Sequence, residues 1–335
     1  MSAKPWGLTS PVRRESSLAH RGWLGLLATV ALGFGAPAVA ASGFASSGAG
    51  LQPLVVPGVP SPGHHASHPL RPAPVPRRPA LPVSGQFYSS NWGGFIDGAQ
   101  LAGSALSSDQ ASFDAVSSSW AVPALQPSPP NSYEASWAGI GGVFGSQALL
   151  QAGSIEYFQG RRQVYLAFVE DYPNPALAVN DPLRAGDQLS VSVAESDGVW
   201  TVDVTDQTAG WSTGPLNMAS IYARFGYAFV APDQGTAEWI VEDPACGSTL
   251  CSFANFTPET FSPVQDVAST AVSRTPLESI IVNAQGVPQV SISPASIGST
   301  STAAASYSPF TVARAGGAGP ARAAKPAPPA GPRHG

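Results

Sequence analysis

Thr236 to Asp243 reads Thr-Ala-Glu-Trp-Ile-Val-Glu-Asp. The alternation is that of a strand with one buried face. Ala237, Trp239 and Val241 point one way; Glu238, Ile240 and Glu242 point the other. Trp, Ile and Val suit a pleated, half-buried surface. Two carboxylates flanking an Ile fit either a solvated outer face or the floor of a polar cleft with a working carboxylate, and periodicity alone leaves both open. Glu238 and Glu242 are four residues apart, about 13 Å along a strand. They are too distant to act as a close acid/base pair, so a working Glu here needs a partner from another strand.

The composition narrows the chemistry. The chain has 335 residues, with 35 Gly, 34 Pro and 11% charged residues. That suits one all-β domain with unstructured ends, long enough for a sizeable core. From Gln86 to Ala315 the chain holds 20 of its 21 acidic residues and six of its 16 basic ones, a formal charge of −20 + 6 = −14. Such a body repels nucleic acid and offers no basic patch for anionic lipid. It contains no Lys and no His, since Lys4, Lys325, His20, His64, His65, His68 and His334 all lie outside it. A Ser-His-Asp triad, a Ser-Lys dyad and a His-ligated zinc therefore cannot be built there, and no metal or other cofactor is expected. Cys246 or Cys251 as a nucleophile would lack its His. Carboxylates, amides, hydroxyls and backbone N–H groups remain.

Four regions follow along the chain. Residues 1–40 read as a secretory signal: Arg13, Arg14 and Arg21, an apolar run from Gly22 to Phe34, then Ala38-Val39-Ala40 as a small-residue cleavage site. The expected protein is secreted and extracellular, with no membrane attachment once the signal is gone. Export makes a Cys246–Cys251 disulfide plausible. Residues 41–85 are rich in Pro, Ala and Ser, carry Arg71, Arg77 and Arg78, and contain no acid. They read as a linker or prosegment of a zymogen. Residues 86–315 form the body, and 316–335 an Ala/Pro/Gly tail expected to be disordered.

The body is a series of short strand-like segments, including Ser112–Val122, Ser136–Ile140, Ala148–Tyr157, Gln163–Glu170, Gln188–Glu195, Trp200–Asp206 and Ala223–Phe229. Turn signals such as Asp97-Gly98, Gly141-Gly142 and Asp197-Gly198 separate them. This predicts a sandwich or barrel rather than βαβ units, and no stretch shows helical periodicity. Two further segments stand out. Gln151 interrupts the apolar run Leu149-Leu150 beside the small pair Ala152-Gly153. It is either a hydrogen-bonded core amide or a group facing a ligand. Leu166, Phe168 and Glu170 share a face that is either a cleft wall or a sheet edge.

Taken in order, six motifs resemble the glutamic peptidases, or eqolisins: Tyr88-Ser89-Ser90-Asn91-Trp92-Gly93-Gly94, Trp120-Ala121-Val122-Pro123, Ser136-Trp137-Ala138-Gly139-Ile140-Gly141-Gly142, Leu150-Gln151-Ala152-Gly153, Glu170-Asp171-Tyr172-Pro173 and Ala237-Glu238-Trp239-Ile240-Val241-Glu242. The resemblance covers most of the body. It implies a β-sandwich of two bent antiparallel sheets, lectin-like in architecture. It also implies catalysis by Gln151 and Glu242, and Trp137, Phe168 and Glu170 lining the substrate cleft. The expected reaction is acid-acting, pepstatin-insensitive hydrolysis of protein or peptide substrates by a monomer. This chain departs from the fungal members at three places. Gly141 stands where they carry Asp, Ile155 where they have a further acid, and Phe168 where they have a cleft Trp. Two other readings of the same surface are a lectin-like carbohydrate-binding sandwich and a retaining glycosidase, the latter needing Glu170 and Glu242 to meet across neighbouring strands.

Overall fold

A computed structural model describes residues 45–46, 50–54, 86–102, 105–144, 148–246 and 249–316. The expected signal, residues 55–85 of the expected prosegment, and the tail beyond residue 316 lie outside the described residues.

Among the described residues the architecture is a β-sandwich whose two large sheets have ten and eight strands. The second sheet is centred on Phe113–Ala121, flanked by Gln188–Ser196 and Val264–Ala268, with Val199–Asp206 and Ala304–Tyr307 further out. Its strands alternate cleanly. Leu189, Val191 and Val193, then Trp200, Val202 and Val204, are buried, while the residues between them stay partly or fully exposed. One face of this sheet meets the core and the other meets water.

The ten-stranded sheet differs. Its order is Leu51–Pro53, Leu177–Val179, Arg162–Tyr172, Leu149–Gln159, Ser132–Gly141, Ala237–Glu242, Trp92–Asp97, Leu277–Ile281 and Gln86–Ser89, with Ser252–Phe253 pairing alongside Ser132–Gly141. The long pairings are antiparallel; Gln86–Ser89 runs parallel to Leu277–Ile281. Ser132–Gly141 is buried at every position. Both faces of this sheet are covered: the inner face by the other sheet, the outer face by a second apolar cluster around Trp92, Trp137, Ile155 and Phe168.

The inner face carries an unusual load. Glu134 and Glu156 stand directly opposite each other on neighbouring strands. Together with Glu259 they are almost wholly buried. The Ser136 hydroxyl lies against carboxyl oxygens of both Glu134 and Glu259. A hydroxyl has one proton to donate, so one of these two carboxyls must itself be a donor. Burial raises the pKa of all three, and for Glu156 and Glu259 the charge of Glu134 raises it further.

At one end a buried cation joins the sheets. Arg274 donates to Asp97 at 2.9 Å and to Asp266 at 2.8 Å, its guanidinium lies 5.3 Å from the Phe113 ring centre, and Tyr307 donates to Asp97. Asp97 ends a strand of the ten-stranded sheet, and Asp266 and Tyr307 belong to the other.

Two local readings are corrected. Ala223–Phe229, expected as a strand, is not one. Met218–Arg224 forms a short helix capped by Asn217, whose side chain accepts from the Ser220 N–H at 2.9 Å. Met218, Ile221 and Tyr222 are its buried stripe, and seven residues are too few for that period to show in the sequence. Second, part of the expected linker or prosegment is packed: Leu51–Pro53 is an edge strand of the ten-stranded sheet.

Candidate active site

The outer face of the ten-stranded sheet is organised in three cross-strand rows. Glu170, Gln151, Gly139 and Glu238 form the first; Phe168, Gly153, Trp137 and Ile240 the second; Leu166, Ile155, Ala135 and Glu242 the third, closed by Trp92. Large and small residues alternate along the middle strand, so Trp137 stands between Ala135 and Gly139. Gly153 beside it is required by the backbone, because a Cβ there would lie 1.9 Å from the Ser136 carbonyl oxygen.

Gln151 and Glu242 occupy strands on either side of Ser132–Gly141, diagonally, with Gln151 opposite Gly139 and Glu242 opposite Ala135. Both line one cleft of about 540 Å³, which Trp92, Phe168, Glu170 and Tyr172 also line. The structure thus brings Gln151, Glu242, Phe168 and Glu170 together. Trp137, expected as a cleft-lining residue, is instead wholly buried. It meets the Trp92 ring edge-on, with centres 4.9 Å apart, and its N–H donates to Glu242 Oε2 at 2.8 Å.

Each polar group of the cleft has a defined support. Glu242 Oε1 accepts from Asn91 Nδ2 at 3.2 Å. Asn91 is itself fixed by a tight turn in which the Ser89 hydroxyl accepts the N–H groups of Asn91 and Trp92 at 3.2 and 3.0 Å. Gln151 Nε2 donates to Glu170 Oε2 at 2.7 Å. Among the described residues, buried Gln151 Oε1 has no hydrogen-bond partner. Glu170 is held through its neighbour: the Tyr222 hydroxyl accepts the Asp171 N–H and donates to the Pro175 carbonyl, both at 2.9 Å. The short helix therefore anchors one wall of the cleft. Asp171 is raised to about 6, by burial first, against the hydrogen bonds it accepts from Val230 N–H and Asn174.

The two glutamates of the opening stretch part company. Glu238 is fully buried, and burial pushes it well above the ordinary carboxylate range. Glu242 keeps partial contact with solvent. Next to it, Asp243 is raised to about 8 by burial and then by the Glu242 charge, with Arg314 opposing. Directly after these acids, the chain turns through Pro244 and Ala245, which line the cleft, into the Cys246–Cys251 disulfide.

The neighbouring-strand meeting of Glu170 and Glu242 that the alternative glycosidase reading required is not found, because two strands separate theirs. Asn91 and Trp92 sit inside a motif quoted above, yet nothing in their spacing assigned them to the site. The signal was a polar residue placed just before a buried strand. Gly141 has a φ of +94°, and a Cβ there would lie 2.6 Å from the carbonyl oxygens of both Ala148 and Asp233.

Comparisons with known proteins give the following. A family model described as Peptidase A4 family matches residues 99–307. Aspergillopepsin-2 of Aspergillus niger is 30% identical over 128 residues, which span 38% of this chain and 43% of that protein, so less than half of the relative's length is matched. Among solved structures, scytalido-glutamic peptidase with a transition state analog inhibitor aligns with a TM-score of 0.47 and 21% identity, over 68% of this chain and 98% of that one. Aspergilloglutamic peptidase from Aspergillus niger aligns with a TM-score of 0.41 and 24% identity, over 55% and 99%.

Proposed function

The chain belongs to the Peptidase A4 family, and on that premise we propose that it is a glutamic endopeptidase acting on protein or peptide substrates at acid pH. The supporting observation is the pairing in one cleft of Glu242, partly solvated and supported at both oxygens, with Gln151, whose buried side-chain oxygen has no partner among the described residues.

Peptide hydrolysis needs a base for water, a donor for the developing oxyanion and an acid for the leaving nitrogen. Glu242, ionised, takes a proton from water as that water attacks the scissile carbonyl. Gln151 Oε1 accepts from the same water. One Nε2 hydrogen is engaged by Glu170; the amide has two, and the second donates to the oxyanion. Glu242, now protonated, gives its proton to the amine. Glu170 positions Gln151, and Trp137 and Asn91 position Glu242. Phe168, Trp92 and Tyr172 supply the apolar wall for substrate side chains. An unperturbed Glu titrates near pH ~4.3, so a lone carboxylate base suits acid conditions.

In this reading residues 1–40 direct export, 41–85 are a prosegment, 86–315 are the catalytic body acting as a monomer outside the cell, and 316–335 are a tail. The test is casein digestion at pH 3 by the purified chain, with and without pepstatin, beside Glu242→Gln. Activity is expected to resist pepstatin and to vanish in the variant. Near wild-type digestion by Glu242→Gln would remove Glu242 from the mechanism.

A further inference from the structure

The edge of the ten-stranded sheet next to the cleft is occupied by the chain's own Gly50–Leu54. Leu51, Gln52 and Pro53 run antiparallel to Val179, Ala178 and Leu177. The Asn180 N–H donates to the Gly50 carbonyl at 3.0 Å, and the Leu54 N–H donates to the Ala176 carbonyl at 2.9 Å. Side chains alternate as in any strand. Leu51 packs against the core between the sheets, Gln52 is exposed, and Leu54 turns to the cleft side. There Leu54 is only 3% exposed and joins the apolar cluster of Phe168, Ala176 and Ala178. It lines the same cleft as Gln151, Glu170 and Glu242.

Three features set this segment apart from a permanent strand. It is short, so few main-chain hydrogen bonds hold it. Its last paired residue is Pro53, which has no N–H to give. Its one deeply buried side chain fills space that the substrate of the proposed reaction would need. With Gly50–Leu54 removed, Leu177–Val179 becomes an unpaired edge beside an apolar pocket. That is the geometry by which an extended peptide adds to a sheet: main-chain bonds give affinity and a pocket for alternate side chains gives selectivity.

We propose that Leu177–Val179 and the pocket under Leu54 form a docking subsite for extended peptides bearing an aliphatic side chain, and that Gly50–Leu54 occupies it in cis and must leave before substrate enters. The proposal rests on the peptidase reading for what the docked peptide is, and on the strand geometry for where it binds. Tethering gives the segment a high effective concentration, so a free peptide competes poorly until Leu54 is dislodged.

The test uses the full chain, the parent beside Leu54→Asp, at pH 4, with chain length checked by mass spectrometry. The probe is acetyl-Gly-Leu-Gln-Pro-Leu-amide, the sequence of Gly50–Leu54, titrated by calorimetry. Leu54→Asp is expected to bind it at least about tenfold more tightly than the parent, the scale of one buried Leu side chain. A probe ending in Asp is expected to bind neither chain. The initial rate of casein digestion is expected to rise by a similar factor in Leu54→Asp and to be suppressed competitively by the probe. Should Leu54→Asp fail to fold by circular dichroism, Leu54→Ala takes its place with the same readouts. Equal probe binding by parent and variant, or equal binding of the Asp-ended probe, overturns the subsite. Hydrolysis without probe binding overturns the subsite and leaves the peptidase reading intact. Probe binding without hydrolysis keeps the subsite and overturns the peptidase reading.

Discussion

The two faces of the ten-stranded sheet use the same residue type to opposite ends. Glu134 and Ala135 are neighbours on one strand, as are Ile155 and Glu156 on the next, and each pair points to opposite sides. On the inner side Glu134 and Glu156 are sealed between the sheets with Glu259. On the outer side Glu242 stands opposite Ala135, partly wet, with an indole and an amide donating to its two oxygens. Donors and some water favour the charged form of a carboxylate, whereas burial outweighs the few donors of the inner three and raises their pKa values. One face thus carries the carboxylate proposed for the chemistry, and the other ties stability to acid conditions.

Burial raises the pKa of Glu134, Glu156 and Glu259 in the folded state. An acid whose folded pKa is raised adds stability below its unfolded value, near pH ~4.3, and that contribution is lost as the pH climbs through the folded value. The fold should therefore be firmest in acid and weaken toward neutrality, the same side of the pH scale on which Glu242 is proposed to work.

The sharpest way to separate the faces is Glu242→Gln. It should abolish digestion at pH 3, a loss of 10³-fold or more, while the melting temperature keeps its parent dependence on pH. Gln151→Ala should cost on the order of 10²–10³ in kcat, the usual loss for one oxyanion donor, with circular dichroism unchanged. For Asn91→Ala a loss of about tenfold is expected, because the Glu242 carboxylate loses the donor to its Oε1 and keeps Trp137 on Oε2. The acid limb of its kcat/KM profile should also move to higher pH, which a purely structural defect would not produce. The smallest change is expected from Glu156→Gln. Activity at pH 3 should stay near the parent's, while the melting temperature at pH 7 rises by a few degrees, at about 2–4 °C per 1 kcal/mol for a domain of this size. If instead Glu156→Gln stopped digestion in acid and Glu242→Gln steepened the fall of stability with pH, the division of labour between the faces would be falsified.

The sequence was informative where a strand alternates or a motif is dense. Thr236–Asp243 gave the facing of Glu242, and the clean alternation of Gln188–Ser196 and Val199–Asp206 fitted a sheet wet on one side. It was mute where both faces are covered, since Ser132–Gly141 is buried throughout and nothing in its pattern says which side meets the other sheet. That is why Glu134 and Glu156 drew no attention as a structural pair. Trp137 was assigned to the cleft surface, but whether a Trp lies on a floor or beneath it depends on the Trp92 ring, contributed by another strand. Leu51–Pro53 was invisible for a different reason. A short apolar piece in a Pro-rich stretch becomes a strand only when a distant edge, Leu177–Val179, is there to receive it.

Gly141 locks two loops to each other through their backbones. A side chain cannot be added here by a single substitution without strain, because its Cβ would strike the carbonyls of Ala148 and Asp233 on a backbone already turned to positive φ. The segment bearing Asp233 would have to be remade first. The order of changes therefore matters at this corner of the site: the backbone at Asp233 has to move before residue 141 can carry a side chain.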